Sequence, residues 1–142
     1  MQVQELMSRN PVLVETKEPV SSAAQLMRAR NIGVMPVCDG QGRLVGMLTD
    51  RDIAVRCVAA QLDARITPVE AVMSRGAVTA EPEEDVQTAL DRMRAEQVRR
   101  LPVVQGEQLV GMLSLADVAR TRSMDMEAAR ALSGITSNIC RK

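Results

Sequence analysis

The chain has 142 residues, of which 46% are hydrophobic and 25% are charged, and its 18 basic residues balance 18 acidic ones. This composition is typical of a globular domain without an overall field for nucleic acid or membranes, so we expect neither as a partner. His, Phe, Tyr and Trp are absent, which excludes imidazole chemistry, histidine metal ligands and aromatic platforms for stacking bases.

The cysteines and the N-terminal sequence indicate the cellular compartment. The three cysteines lack metal-ligand spacing, which favours reduced thiols in the cytoplasm. We expect Cys38 and Cys57 to be buried as small hydrophobic residues and Cys140 to be an exposed thiol on the C-terminal tail. The N-terminus has no apolar run, so we expect neither a signal peptide nor a membrane span.

The chain contains an internal repeat. Three blocks return in the same order: residues 3–9 as 69–75, residues 35–37 as 101–103, and residues 46–52 as 111–117. Such a duplication predicts two copies of one supersecondary unit. We assign residues 1–62 to the first repeat, residues 63–122 to the second, and residues 123–142 to a C-terminal helical tail.

Each copy predicts the same order of elements. A short helical turn comes first, at residues 3–7 and 69–73, and an extended stretch follows at residues 12–14 and 77–79. The next element is an amphipathic helix with an apolar stripe at helical spacing: Val20, Ala23, Ala24 and Met27 in copy one, and Val86, Ala89, Leu90 and Met93 in copy two. Two strands follow, at residues 34–38 and 44–48 and at residues 101–104 and 109–113, before a closing helix near residues 50–59 and 115–122. The order β-α-β-β-α, found twice, predicts an α/β fold of the α+β type with the two repeats packed about a pseudo-twofold axis.

The tail has helical periodicity of its own. Ala128, Leu132, Ile135 and Ile139 are spaced by four, three and four residues, which predicts one apolar seam on a helix. This helix either packs on its own domain or forms a dimer contact.

One motif, Gly-hydrophobic-x-Thr/Ser-x-x-Asp, lies at a strand-to-helix junction in both copies. Thr49 with Asp52, and Ser114 with Asp117, have the spacing of a helix capping box. The same groups suit a nucleotide, because the hydroxyl can bind a phosphate and the carboxylate can accept both ribose hydroxyls. The motif glycines, Gly46 and Gly111, would let the backbone approach a ligand closely. Since both copies carry the set beside an apolar Met-Pro or Leu-Pro pair, ligand binding is favoured over capping alone.

The two copies resemble CBS repeats, and residues 3–122 resemble stand-alone bacterial proteins of one CBS pair, such as the hypoxic-response type. The resemblance implies a module that binds AMP, ADP, ATP or a related adenosyl ligand such as S-adenosylmethionine in clefts between the repeats. It implies phosphate contacts for Thr49 and Ser114 and ribose contacts for Asp52 and Asp117. It assigns the wall near the base to Val34, Met35, Pro36, Leu101 and Pro102, and the edge that reads the adenine amino group to backbone near Val12, Val14 and Val78.

The copies differ in basic residues. Arg99 and Arg100 stand where copy one has Gly33 and Val34, and Arg51 has only an alanine as its counterpart. Adjacent arginines are either a solvated surface pair or, by the resemblance, phosphate donors, for which the guanidinium fork is suited. We therefore expect two sites of unequal affinity.

These observations predict a regulatory adenosine-nucleotide sensor that has no catalytic cofactor and acts through a homodimer or an unidentified protein partner. The alternative is a ligand-free module for dimerisation. An enzyme is disfavoured, because the chain has no His and no carboxylate or cysteine constellation at useful spacing.

Overall fold

The computed structural model describes residues 1–121 and 130–135, and these form two compact units. Unit one comprises Met1–Pro11, Val78–Gly106 and the described residues from Val110 onward, and unit two comprises Val12–Ala77 and Glu107–Leu109. The units do not coincide with the sequence repeats, because the opening turn of each copy packs with the body of the other. In unit one the Val3 amide donates to the Glu84 carbonyl at 2.9 Å, and in unit two the Val69 amide donates to the Glu18 carbonyl at 2.8 Å.

Unit two contains a four-stranded sheet. Its elements are β1 (Val14–Glu15), α1 (Val20–Arg30), β2 (Val34–Cys38), β3 (Leu44–Thr49), α2 (Asp50–Ile53) with a π-helical continuation (Ala54–Val58), a 3-10 turn (Val69–Ala71) and β4 (Ser74–Arg75). The strand order is β1-β2-β3-β4, with β1 parallel to β2 and the other pairs antiparallel. The sequence did not predict β4, which is only two residues long and lies at the sheet edge.

Unit one repeats much of this design with fewer strands. Its elements are a 3-10 turn (Val3–Glu5), α3 (Val86–Glu96), β5 (Arg100–Gln105), most of β6 (Gln108–Ser114) and α4 (Leu115–Ala119), and residues 130–135 are helical. Strands β5 and β6 pair, and single bridges join Ser8 to Met112 and Ala80 to Val103. Residues 77–79, which were predicted to be extended, form no strand, and the one bridge in this stretch is at the following residue, Ala80.

The two long helices have the predicted bounds for local reasons. Helix α1 begins after Pro19, and α3 begins at Asp85, whose carboxylate accepts from the Gln87 amide at 3.1 Å. Both helices end at a residue in the left-handed conformation, Asn31 and Gln97, which stops further helical hydrogen bonding. Their predicted stripes are buried, apart from the half-buried Ala24.

Each unit has its own apolar core. The core of unit two includes Val20, Met27, Met35, Leu48 and Cys57, and the core of unit one includes Val3, Leu90, Met93, Leu101 and Leu113. Cys38 is also buried, so the expectation for the first two cysteines is confirmed. Cys140 lies outside the described residues. Within residues 1–121 and 130–135, no helix has the length and apolarity needed to cross a bilayer.

The helical tail is confirmed in its described part, but its predicted seam is partly wrong. Ala131 and Ile135 are buried, whereas Leu132 is 40% exposed. Residues four apart share a helix face, so Ala131 and Ile135 define the buried side and Leu132 turns away from it. Ala128 and Ile139, the other two members of the seam, lie outside the described residues.

Candidate functional site

Both copies of the motif form the predicted capping box. The Thr49 hydroxyl accepts from the Asp52 amide at 3.0 Å, and the Asp52 carboxylate accepts from the Thr49 amide at 3.0 Å. In the second copy the Ser114 hydroxyl accepts from the Asp117 amide at 3.0 Å, and the Asp117 carboxylate accepts from the Ser114 amide at 3.1 Å. These bonds satisfy helix donors that would otherwise lack partners. The motif therefore has a structural role in both units.

Asp52 retains acceptor capacity beyond its cap. The residue is 8% exposed, and Oδ2 accepts the Thr49 amide. The Ser74 hydroxyl lies 3.4 Å from each carboxylate oxygen, and the Arg56 Nε lies 4.0 Å from Oδ1. These contacts are long, because a hydroxyl donor normally approaches to about 2.7–2.8 Å. Among the described residues, Oδ1 thus has no donor at a normal hydrogen-bond distance.

Asp117 is held differently. Its Oδ1 accepts from the Arg120 guanidinium at 3.1 Å, while its Oδ2 holds the cap. Arg120 is largely exposed, and an exposed ion pair of this kind contributes little to stability. A ligand hydroxyl can therefore displace the guanidinium from Oδ1 at small cost.

The predicted apolar wall is only partly available. Met35 and Leu101 are 0% exposed and belong to the two cores, so their side chains point away from any ligand surface. Side chains alternate along a strand, which puts Val34 and Pro36 on the other face of β2, and Pro102 on the other face of β5. Val34 is half-buried and lies opposite Thr49 in the β2–β3 register. Pro36 and Pro102 are buried as well, so Val34 is the one residue of the predicted wall that is partly accessible.

The predicted adenine-reading backbone contains free groups. Val14 is buried and pairs with Val37 within the sheet of unit two. Val12 and Val78 are half-buried, and neither makes a backbone hydrogen bond to any part of the chain that the structure describes. Their amides and carbonyls are available to the donor and acceptor edge of a base.

The predicted arginines lie at the surface. Arg51, Arg99 and Arg100 are exposed, and none of their guanidinium groups forms an ion pair with another described residue. The Arg99 carbonyl accepts from the amide of Leu115, the first residue of α4, at 2.8 Å. Arg99 therefore lies beside the Ser114 cap within unit one.

Each unit holds one complete set of the predicted residues. Unit two contains Val12, Val14, Val34, Met35, Pro36, Thr49, Arg51 and Asp52, and unit one contains Val78, Arg99, Arg100, Leu101, Pro102, Ser114 and Asp117. The sequence analysis missed Ser74 and Arg56, whose Nη1 donates to the Met73 carbonyl at 3.0 Å. The signal for Ser74 was present, because it lies in the repeated Met-Ser-Arg block. Among the described residues, no group of three His, Cys, Asp or Glu side chains is arranged to hold a metal ion.

Comparison with known proteins supports this fold. The model of the CBS domain matches residues 3–58 and 69–123. The CBS domain-containing protein YhcV of Bacillus subtilis (strain 168) is 39% identical over 134 residues, which cover 94% of each chain. The crystal structure of Hypoxic Response Protein I with two coordinated zinc ions has a TM-score of 0.78 at 35% identity, covering 85% of this chain and 98% of that one. The CBS domain pair of MJ0100, in complex with 5′-methylthioadenosine and S-adenosylmethionine, has a TM-score of 0.71 at 28% identity, covering 84% of this chain and 94% of that one. The chain therefore belongs to the CBS domain family and contains two CBS repeats.

Proposed function

We propose that the protein is a regulatory module that binds an adenosine nucleotide, AMP, ADP or ATP, at the two motif sites and has no catalytic activity of its own. The observation that carries this proposal concerns Asp52, which is only 8% exposed. The contacts of its Oδ1 with other described residues are all long, at 3.4 Å to the Ser74 hydroxyl and 4.0 Å to the Arg56 Nε. Buried carboxylates are stabilised by strong donors, and the two hydroxyls of a ribose supply them. The complex of the related MJ0100 pair with two adenosyl compounds supports the same ligand class.

In each proposed site, three chain features contact different parts of the ligand. The carboxylate binds the ribose, and the Thr49 or Ser114 hydroxyl binds the group attached at the 5′ carbon. The free backbone groups of Val12 or Val78 hydrogen-bond to the base, which in unit two lies against the half-buried Val34. S-adenosylmethionine shares the ribose and the base, so it is the second candidate ligand.

Calorimetric titration and thermal-shift measurements with AMP, ADP, ATP and S-adenosylmethionine test the proposal. We expect at least one compound to bind the wild-type chain and to raise its melting temperature. The double variant Asp52→Ala with Asp117→Ala should lose this binding. Glu83→Gln is the matched control, since Glu83 is exposed and precedes the N-terminal end of α3, whereas Arg99 follows the C-terminal end.

A ligand-free module for dimerisation is the alternative. Under it, no adenosyl compound would give heat or a thermal shift, and the double variant would lose stability through its caps alone. Retention of binding by the double variant would also contradict the proposed site.

We further propose that the partner includes a second copy of this chain. Unit two exposes four apolar side chains on and after α2, with Val58 66% and Ile66 80% exposed; the full set is Val55, Val58, Leu62 and Ile66. Asp63 and Arg65, whose side chains pair with each other at 3.1 Å, lie between Leu62 and Ile66 along the chain, so charged groups adjoin the apolar set as they do at the rim of an interface. Because the proposed module has no catalytic activity of its own, ligand binding must act through another chain, and a second copy is such a chain.

The mass in solution tests the dimer. Light scattering should give twice the chain mass for the wild type and the chain mass for Val58→Glu. Ala29→Glu adds the same charge at an exposed position of α1 and should leave the dimer intact. A monomeric wild type, or a dimer unaffected by Val58→Glu, would contradict this proposal.

A further inference from the structure

The two proposed sites differ in charge beside the cap hydroxyl. In unit two, the position next to Thr49 is Asp50, an exposed residue. Its counterpart in unit one is Leu115, which is buried in the core at 7% exposure. The unit-two site therefore has an additional carboxylate at its surface.

The Asp50 carboxylate lies next to Gly33, whose counterpart in the other unit is Arg99. The Asp50 amide donates to the Gly33 carbonyl at 2.9 Å, as the Leu115 amide donates to the Arg99 carbonyl at 2.8 Å. A Cβ at Gly33 would lie 2.8 Å from Asp50 Oδ2. The Asp50 carboxylate thus lies against the backbone of position 33, whereas the equivalent position 99 carries an arginine.

The neighbouring charges do not cancel this difference. Unit two has Asp50 and Asp52 against Arg51, which leaves one negative charge. Unit one has Arg99 and Arg100 against Asp117, which leaves one positive charge. Arg56 and Arg120 add one positive charge to each site, so the difference of two charges between the sites persists.

We infer that Asp50 determines the ligand charge accepted by unit two: the site excludes phosphate and takes an adenosyl ligand whose 5′ substituent is neutral or positively charged. Unit one takes the phosphorylated nucleotide. This inference rests on the proposed function, since it assumes that adenosyl ligands bind at both motifs, and it narrows that proposal by assigning AMP, ADP or ATP to unit one alone. Its physical basis is the repulsion between a phosphate and a fixed carboxylate, which is considerable at the short distances found within one ligand site.

Single-site variants separate the two units. Asp117→Ala leaves the unit-two site, and Asp52→Ala leaves the unit-one site. Calorimetric titration of each with AMP and with 5′-methylthioadenosine, which has a neutral 5′ substituent, measures the preference. We expect AMP to bind Asp52→Ala roughly tenfold more tightly than Asp117→Ala, and 5′-methylthioadenosine to bind Asp117→Ala.

A second substitution tests Asp50 directly. In the Asp117→Ala background, Asp50→Asn should strengthen AMP binding roughly tenfold and leave 5′-methylthioadenosine binding nearly unchanged. Glu107→Gln, which removes the same charge at an exposed position elsewhere in unit two, should leave both unchanged. If an alanine variant does not fold, asparagine at the same position keeps a cap acceptor and replaces it.

The outcomes distinguish this inference from the proposed function. Equal AMP affinity in the two backgrounds, or no response of AMP to Asp50→Asn, would overturn the inference while leaving adenosyl binding intact. Failure of every adenosyl compound to bind the wild-type chain would overturn the proposed function and, with it, the role of Asp50.

Discussion

The backbone carbonyl of Ser74 lies against the α-carbon of Gly46, in the space that a side chain at position 46 would need. Strands β3 and β4 pair at this point, with Gly46 opposite Arg75. The second copy repeats the arrangement, since a Cβ at Gly111 would lie 2.6 Å from the Ser8 carbonyl oxygen. The close approach expected of the motif glycines is therefore made by the chain itself.

Replacement of either motif glycine should destabilise its unit. We expect Gly46→Ala and Gly111→Ala each to cost about 1–3 kcal/mol, because a backbone carbonyl in a strand pair cannot move aside without loss of pairing. Urea denaturation measures the change. Gly40→Ala is the matched control, since a Cβ there meets nothing within 4 Å. Equal stability of Gly46→Ala and Gly40→Ala would contradict this account.

The sequence predicted most of the fold because the repeat presents each periodicity twice. The apolar stripes ending at Met27 and Met93 define two helices, and the capping boxes at Thr49 and Ser114 define where the closing helices begin. Spacing alone did not show that the opening turn of each copy packs against the helix and strands of the other copy. Local patterns contain no signal for a partner so distant in sequence, and β4 is too short to have a period.

The candidate site was less predictable than the fold, because its contacts join residues that are distant in sequence. The Met-Pro and Leu-Pro pairs look alike as apolar walls, but strand alternation sends Met35 and Leu101 into the cores and leaves Pro36 on the other face. Ser74 comes to Asp52 only through the β3–β4 pairing. Contacts that depend on long-range pairing had to come from the structure.

Loss of the cap hydroxyl should reduce stability even without a ligand. Thr49→Ala and Ser114→Ala each remove the acceptor of a 3.0 Å bond from a helix amide, and such caps contribute about 0.5–2 kcal/mol. Urea denaturation of ligand-free protein measures the loss. Thr49→Ser keeps the hydroxyl and should retain most of the stability. Unchanged stability of Thr49→Ala would show that the capping box is not stabilising in this protein.

The turn between β2 and β3 should contribute stability that depends on pH. The Asp39 carboxylate accepts from the Gln41 and Arg43 amides at 2.9 and 3.0 Å and from the Arg43 Nε at 2.7 Å. Partial burial of the carboxyl works to raise its pKa, but these hydrogen bonds and the Arg43 charge outweigh burial, so the pKa of Asp39 is lowered. Because the unfolded value is about 3.9, the contribution is fully present above that pH and is lost as the pH falls through the lower folded value.

Asp39→Asn measures this contribution. We expect the variant to have a lower urea midpoint than the wild type at pH 7, and the difference should shrink as the pH falls below about 4. Gly40→Ala lies in the same turn without a change of charge, so its effect should be independent of pH. A constant difference between Asp39→Asn and the wild type at all pH values would contradict a role for the ionised carboxylate.

The two described cysteines should resist alkylation in the folded protein. Burial raises the pKa of the Cys38 thiol, and the nearby carboxylates of Asp39 and Glu15 raise it further, while Cys57 is fully buried and its sulfur lies 3.6 Å from the Leu62 carbonyl oxygen. Because the thiolate is the reactive form, a raised pKa and restricted access both slow the reaction.

Iodoacetamide labelling at pH 7.5, followed by mass spectrometry, tests this expectation in a Cys140→Ala background, which removes the third thiol. Native protein should remain largely unmodified over the time in which both thiols react completely in urea. The additional variant Cys38→Ala should label as slowly as its parent. Rapid modification of one thiol in native protein, with no such modification in the Cys38→Ala variant, would contradict this expectation. It would mean that local separation of β2 from the core exposes Cys38 without global unfolding.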